Sequence, residues 1–257
     1  MLDQITPVVT TYNEAPNLER TMKQISWANE IIVIDSFSDD ATTRIASSFP
    51  QTRIVQRVFV NHADQWTFAL NEAGIKTPWV LALDADFVLT AALVEELKTL
   101  DLDAGVNGYT ADFIYCLNGK QLRSGIYPSV TVLYRRASAK YEQDGHAHRV
   151  RIDGEVRQLR GKVLHDDRKP MRRWLNSQTT YAELEAQKLL ALDASELSFN
   201  DRLRRLQVVA PVAVLFYCLV LRGGLLDGWA GIMYALQRML AELMLSLYLI
   251  EARLGRQ

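Results

Sequence analysis

Three apolar runs that each stop at a knot of acidic and amide side chains constrain this chain more than any other feature. Ile5–Thr10 leads into Tyr12-Asn13-Glu14, Glu30–Asp35 is followed by Asp39, and Trp79–Leu83 ends in Asp84-Ala85-Asp86. Strands of near-continuous apolar character are buried on both faces, which is the pattern of a parallel sheet. Helix-like stretches at Leu18–Ile25, Ala41–Phe49 and Asp64–Ala73 separate them, and Arg53–Val60 reads as a further strand. The first half is therefore expected to be α/β, a mostly parallel sheet with helices on both faces. In such sheets ligands bind beyond the carboxyl ends of the strands, so the three knots should converge on one site.

A single Asp after a strand serves equally as a helix cap or turn former. Asp84 and Asp86 say more, because their i, i+2 spacing around a small alanine lets a bend aim both carboxylates at one hard cation. Mg²⁺ or Mn²⁺, held by one or two carboxylates plus substrate phosphates, is the guest this chemistry suits. With 29 basic against 30 acidic residues the formal net charge is −1, which leaves no chain-wide field for nucleic acid. Cys116 and Cys218 lie far apart and outside any zinc-like or CxxC spacing, which points to a reducing compartment. No basic, then apolar, leader opens the sequence, so a cytoplasmic location is expected.

Val9-Thr10-Thr11-Tyr12-Asn13-Glu14, the run from Trp27 through Asp35-Ser36-Phe37-Ser38-Asp39, and Leu81-Ala82-Leu83-Asp84-Ala85-Asp86 resemble, in order and spacing, the motifs of family 2 inverting glycosyltransferases. These enzymes have the GT-A fold, a Rossmann-like sheet. Within the family the likeness is to bacterial lipopolysaccharide-core transferases of the heptosyl or glucosyl type, and it extends to Gly223-Gly224-Leu225-Leu226-Asp227-Gly228-Trp229-Ala230-Gly231. The resemblance implies a nucleotide-sugar donor whose nucleotide lies against Thr10, Tyr12, Glu14 and Asp35. It sets the donor sugar, its diphosphate and the metal at Asp84 and Asp86. Tyr12 can stack on the base or serve as a partly buried core aromatic.

The second half should supply the acceptor side. Tyr109–Leu117, the Asn118-Gly119 turn and Val130–Tyr134 read as antiparallel strands. An inverting transferase needs a group that takes the proton of the attacking hydroxyl. Asp144, in Tyr141–Arg149, stands where the resembling enzymes carry an acidic residue before a histidine, and is the expected base. Arg149 stands where the family often has a second acid. His146 and His148 can pair on a metal or simply hydrogen-bond in a polar loop. His165 is either a metal or diphosphate ligand, as in other GT-A enzymes, or structural. At Asp64-Gln65-Trp66-Thr67 relatives commonly place a lysine and an asparagine, so this loop is expected to bind its ligand differently.

From Arg149 to Arg173 the chain is persistently basic, and Arg202, Arg204 and Arg205 continue the theme. Uncharged Val208–Leu221 is too short for a comfortable membrane span and reads as interfacial or re-entrant. Trp229–Ile250 carries a helical apolar stripe interrupted by Gln237, Arg238 and Glu242, as in an amphipathic helix. Residues 1–175 are thus expected to form the transferase domain, and residues 176–257 a helical region that lies on the cytoplasmic membrane surface or joins two copies. The acceptor is expected to be a lipid-linked saccharide, and the enzyme peripheral to the inner membrane. A non-catalytic membrane adaptor and an Asp-x-Asp phosphatase are the alternatives. Three preceding βα units argue against the phosphatase, whose motif lies on the first strand.

Overall fold

The structure, a computed structural model, describes residues 2–102, 105–144, 147–193, 195 and 197–255, with the backbone alone at 144, 147 and 148. Its elements are β1 (Ile5–Thr11), α1 (Leu18–Gln24), β2 (Ile31–Asp35), α2 (Thr42–Ser47), β3 (Thr52–Gln56), α3 (His62–Asn71), β4 (Trp79–Asp84), β5 (Phe87–Leu89), α4 (Ala91–Thr99) and β6 (Val106–Leu117). There follow the short β7 (Lys120–Gln121), then β8 (Val130–Arg135), β9 (Ala139–Asp144), β10 (Ala147–Ile152) and β11 (Glu155–His165). The last helices are α5 (Met171–Ala191), α6 (Phe199–Arg205), α7 (Val209–Phe216) and α8 (Trp229–Leu254). Two compact units result. One holds the residues up to Gly119 with Tyr127–Gln143 and His148–Arg168, and the other begins at Lys169 and also takes in Lys120–Ile126.

In the first unit a curled sheet has the order β3-β2-β1-β4-β8-β6-β11-β5. β3, β2, β1 and β4 are parallel, β8 is antiparallel to β4 and β6, and β11 is parallel to β6 and antiparallel to β5. Strand alternation sends neighbouring residues to opposite faces. Val9, Ile31, Val33, Leu81 and Leu83 therefore pack with Leu18 and Met22 of α1 and Leu93 and Leu97 of α4. Val8, Ile32, Ile34, Val80 and Ala82 join Trp66, Ala69 and Leu70 of α3 in a second core. The expected α/β sheet covered on both faces is thus what forms.

β4 and β5 are separated only by Ala85 and Asp86, yet they stand four steps apart in the strand order. Three residues of chain span at most about 11 Å. The path β4-β8-β6-β11-β5 consequently curls back on itself, and the Asp84–Asp86 segment bridges its two ends.

The sequence reading needs correction at β3, which stops at Gln56 and not at Val60. Val58, Phe59 and Val60 are exposed; the last rung of the ladder is the Arg57 N–H donating to the Asp35 carbonyl, and the Arg57 guanidinium pairs with Asp64 at 2.6 Å. The antiparallel pairing of Tyr109–Leu117 with Val130–Tyr134 forms, although Asn118-Gly119, both at positive φ, leads first into β7.

The second unit is helical. Ala182, Ala186 and Leu189 of α5 pack with Leu245 and Leu249 of α8. Across this core Arg204 bridges Glu185 at 3.1 Å and Glu242 at 3.1 Å, both carboxylates being buried. Burial weakens the Arg204 charge, but the two carboxylates outweigh it and raise the pKa. Arg205 donates to the carbonyls of Leu189 and Leu192, capping the end of α5. These two arginines, read from sequence as part of a basic surface, are turned inward. Glu242 likewise does not interrupt an exposed stripe but is the buried partner of Arg204. Val208–Leu221 resolves into α7 followed by a π-helical turn at Tyr217–Leu221. α8 is long and apolar enough, by length and composition, to cross a membrane, and 33% of its most apolar stretch is buried.

The Gly223–Gly231 motif has a structural explanation. Gly223 and Gly228 adopt positive φ, and a Cβ on Gly231 would sit 2.1 Å from the Gly224 carbonyl oxygen. Asp227, buried, accepts from the Ser124 N–H at 3.0 Å and hydroxyl at 2.8 Å. Tyr234 Oη accepts from the Ile126 N–H at 2.8 Å, so the motif and the start of α8 pin the loop 120–126. Burial opposes the Asp227 charge, yet the Ser124 donors prevail and hold the carboxyl below its ordinary value. A carboxyl lowered in the folded state adds stability above its unfolded pKa of about 4 and loses it as pH falls through the folded value. Asp227→Asn should therefore cost about 1–3 kcal/mol at pH 7. In urea titrations its deficit relative to the wild type should shrink below about pH 4.

Candidate active site

At the carboxyl ends of β1 and β4 two of the expected residues meet. The Thr10 hydroxyl at the end of β1 donates to Asp84 Oδ1 at the end of β4, 3.1 Å away, in register with the pairing of Thr10 and Asp84. The bend after Asp84 is fixed from behind. Thr21 of α1 donates its hydroxyl to the Ala85 carbonyl at 2.7 Å, and the Asp166 N–H donates to the Asp86 carbonyl at 3.0 Å. Both carboxylates are thereby set on a segment whose backbone is satisfied from two sides.

Asp86 is 8% exposed, and its Oδ2 lies 3.5 Å from His165 Nε2 at the end of β11. His165 is held among rings: Tyr115 stacks on it at 4.9 Å, Tyr127 at 4.7 Å, and Phe87 lies 5.7 Å away. Its Nδ1 is buried with no hydrogen-bond partner among the described residues. Next to it Asp166 is clamped by Arg20 and by Arg168 (2.8 Å), and accepts from the Gly119 N–H at 2.8 Å. Asn17 ties in the first loop, donating to Glu14 at 2.8 Å and to Asp167 at 2.9 Å.

The loops after β1 and β2 are laced together. The Asn13 N–H donates to Ser38 Oγ, the Asp39 N–H to Asn13 Oδ1, and the Glu14 N–H to Thr42 Oγ1, all within 2.7–2.9 Å. Asp35 organises them from within. Fully buried, it accepts from the Thr11 hydroxyl, the Ser38 hydroxyl and N–H, and Gln56 Nε2, which engages all four acceptor positions of a carboxylate. Tyr12 on the first loop is 54% exposed, which makes it no core aromatic, and Phe37 on the second is 53% exposed at φ +58°. A bulky residue at positive φ is held there by its surroundings.

Trp66 is 2% exposed and stacks on Tyr141 at 5.5 Å, so it faces the core and no ligand. The cation near this helix start is Arg57, which reaches Asp64 and Gln65, while Gln65 donates to Ser36 at 3.2 Å. On β9 the Tyr141 hydroxyl is 2.6 Å from that of Tyr134. Burial first, then Tyr134 and the Asp84 charge, push its pKa well up. The backbone of Asp144 ends this strand. The side chains of Asp144 and His148, and His146 altogether, lie outside the described residues. Both cysteines are buried, and burial pushes the Cys116 thiol up to about 11, which leaves it protonated and inert.

The donor set at Asp84, Asp86 and His165 suits a divalent ion of the Mg²⁺ or Mn²⁺ kind in part. Among the described residues no three His, Cys, Asp or Glu side chains converge as a complete ligand group. Two carboxylates with room for phosphate oxygens are nonetheless what such ions use.

Comparisons with known proteins agree with this architecture. A family model described as glycosyl transferase family 2 matches residues 6–148. A protein of Rickettsia bellii (strain RML369-C), described as an uncharacterized glycosyltransferase, is 29% identical over 141 residues, 54% of this chain and 46% of the relative. The chain thus spans about half the length of that curated relative. Among solved structures, a mannosyltransferase from Pyrobaculum calidifontis in complex with GDP-Man and Mn²⁺ superposes with a TM-score of 0.55 at 17% identity, covering 96% of this chain and 87% of that one. S. aureus TarS 1-349 in complex with UDP-GlcNAc gives 0.51 at 12% identity, covering 98% and 92%. Glucosyl-3-phosphoglycerate synthase from Mycobacterium tuberculosis, in complex with phosphoglyceric acid, gives 0.51 at 16%, covering 75% and 82%. These likenesses establish the fold, GT-A, and with the family match over residues 6–148 the chain belongs to glycosyl transferase family 2.

Proposed function

We propose that this chain transfers a sugar from a nucleoside-diphosphate donor to a hydroxyl of a glycolipid or lipopolysaccharide-core-type saccharide, with inversion at the anomeric carbon. The observation that carries the reading is the pair of carboxylates, Asp84 and Asp86, fixed by Thr10, Thr21 and the Asp166 N–H at the strand ends. The nucleotide lies along the laced loops, its base against Tyr12 and Phe37, with Asp35 shaping the floor and Glu14 the rim. The donor diphosphate and an Mg²⁺ or Mn²⁺ ion go to Asp84 and Asp86, with His165 as an additional ligand. Nucleotide sugars in the similar mannosyltransferase and TarS, and Mn²⁺ in the former, support this assignment. An ion held there would supply positive charge to offset that of the departing diphosphate.

Asp144 takes the proton of the attacking hydroxyl. The new C–O bond forms on one face of the sugar as the bond to the diphosphate breaks on the other, and its electron pair leaves with the nucleotide. Asp144→Asn should lower transfer by roughly 10²–10⁴-fold while leaving donor affinity intact, measured by product formation and by isothermal titration. Unchanged turnover would remove Asp144 from the mechanism. Thermal shift against a panel of sugar nucleotides with Mn²⁺ tests the whole reading, because a ligand that binds the native state raises its melting temperature. A chain stabilised by none of them would be the adaptor instead.

A further inference from the structure

A helical hairpin in the second unit leaves its tip bare. Phe216, Val220 and Leu221 at the end of α7 and its π-helical turn, Leu225 and Leu226 in the following turn, and Trp229 at the start of α8 are each 50–86% exposed. Soluble surfaces scatter large apolar side chains singly, and a run of this kind within fourteen residues marks a docking face. The tip is also rigid. Gly231 approaches the Gly224 carbonyl more closely than any side chain permits, and Asp227 is pinned to Ser124.

Charge selects the partner. Lys120, Arg123 and Arg222 are exposed beside the turn: Lys120 Nζ donates to the Asp227 carbonyl at 2.6 Å, Arg222 Nη2 donates to the Gly125 carbonyl at 3.1 Å, and Arg123 immediately precedes Ser124, whose N–H donates to the Asp227 carboxylate at 3.0 Å. From Leu206 to Ala241 the sequence has one acidic residue, Asp227, and it is buried. The exposed hairpin surface is therefore apolar with cations beside it and carries no carboxylate. A second copy docked here about a two-fold axis would set these cations against their own equivalents. A spanning helix would carry the Glu185–Arg204–Glu242 network, which ties α8 to its neighbours, into hydrocarbon.

We infer that this tip docks onto an anionic bilayer, its apolar side chains entering the acyl boundary and Lys120, Arg123 and Arg222 lying at the phosphate level. The inference is independent of the donor chemistry. The test is flotation of the full chain with phosphatidylcholine vesicles with and without phosphatidylglycerol. Binding is expected to phosphatidylglycerol vesicles, with a blue shift of tryptophan emission that Trp229→Phe largely removes. Arg123→Gln and Arg222→Gln should each weaken binding roughly fivefold, and the double variant Leu225→Ser, Leu226→Ser should abolish it while its far-UV circular dichroism stays native. Failure to float with either vesicle would overturn the inference. So would a dimer that the leucine variant dissociates, which would give the face to a second copy, or resistance to alkaline extraction from vesicles, which would make α8 a span.

Discussion

Asp86→Ala is expected to reduce transfer by roughly 10²–10³-fold, the scale on which removing one preorganised group that stabilises developing charge is felt. The loss should appear in kcat as well as in donor affinity, because charge on the diphosphate grows as the glycosidic bond breaks. Folding should be little changed. The backbone of its segment is held by Thr21 and Asp166 whatever its side chain. A melting temperature near the wild-type value together with residual turnover is therefore the expected pattern. Full activity in Asp86→Ala would show that the carboxylate pair is not where the diphosphate is received.

The second large effect is on stability. Arg204→Ala leaves Glu185 and Glu242 buried with their shared cation gone, and with Lys188 (3.7 Å from Glu185) and Arg238 (3.8 Å from Glu242) at longer range. Breaking a buried ion pair from one side costs about 3–5 kcal/mol, which would be read as a lower urea midpoint. The pH dependence should give the cause away. Carboxyls deprived of their cation acquire folded pKa values above the unfolded ones, so the variant binds more protons when folded and regains stability as pH falls toward about 4.3. Replacing Glu185, Arg204 and Glu242 together by apolar residues of similar volume should cost far less than Arg204→Ala alone. A triple variant as unstable as the single one would show that packing, not the uncompensated charge, is at stake.

What could be read from the chain itself was whatever depends on neighbours in sequence. β1, β2 and β4 are continuous apolar runs with polar ends, and they appear where the pattern puts them, with Thr10, Asp84 and Asp86 gathered at one edge. Contacts made by distant backbone groups left no such trace. Nothing about Thr21 announces that its hydroxyl meets the Ala85 carbonyl, or about Asp166 that its N–H meets the Asp86 carbonyl. Asp35 looked like a ligand-facing carboxylate because a strand-end Asp is one in many folds, yet four internal donors claim it. Phe37 gave the one local signal that was passed over, a bulky residue between two serines in a turn rich in polar groups. Arg204 and Arg205 were misread because a charge run says how many cations a segment has and not which way they turn. β11 lies inside the stretch read only as persistently basic, since the cations on its outward face hide its alternation.

The bridge from β4 to β5 has a consequence in time. Asp84 at the end of β4 and Asp86 in the two-residue link are translated together, but the circuit of strands that fixes them closes only when Leu89 finds Val163 and Phe87 finds His165. Pairings of that sequence separation are made late, because the entropy of closing the long intervening loop is lost before the contact returns anything. A nascent chain can complete β1, β2, α1 and α3 around their local contacts and still hold its two carboxylates in an open, unlocked bend. Competence to receive a charged ligand should thus arrive last, in a single step, when β11 emerges and locks into its groove beside β5.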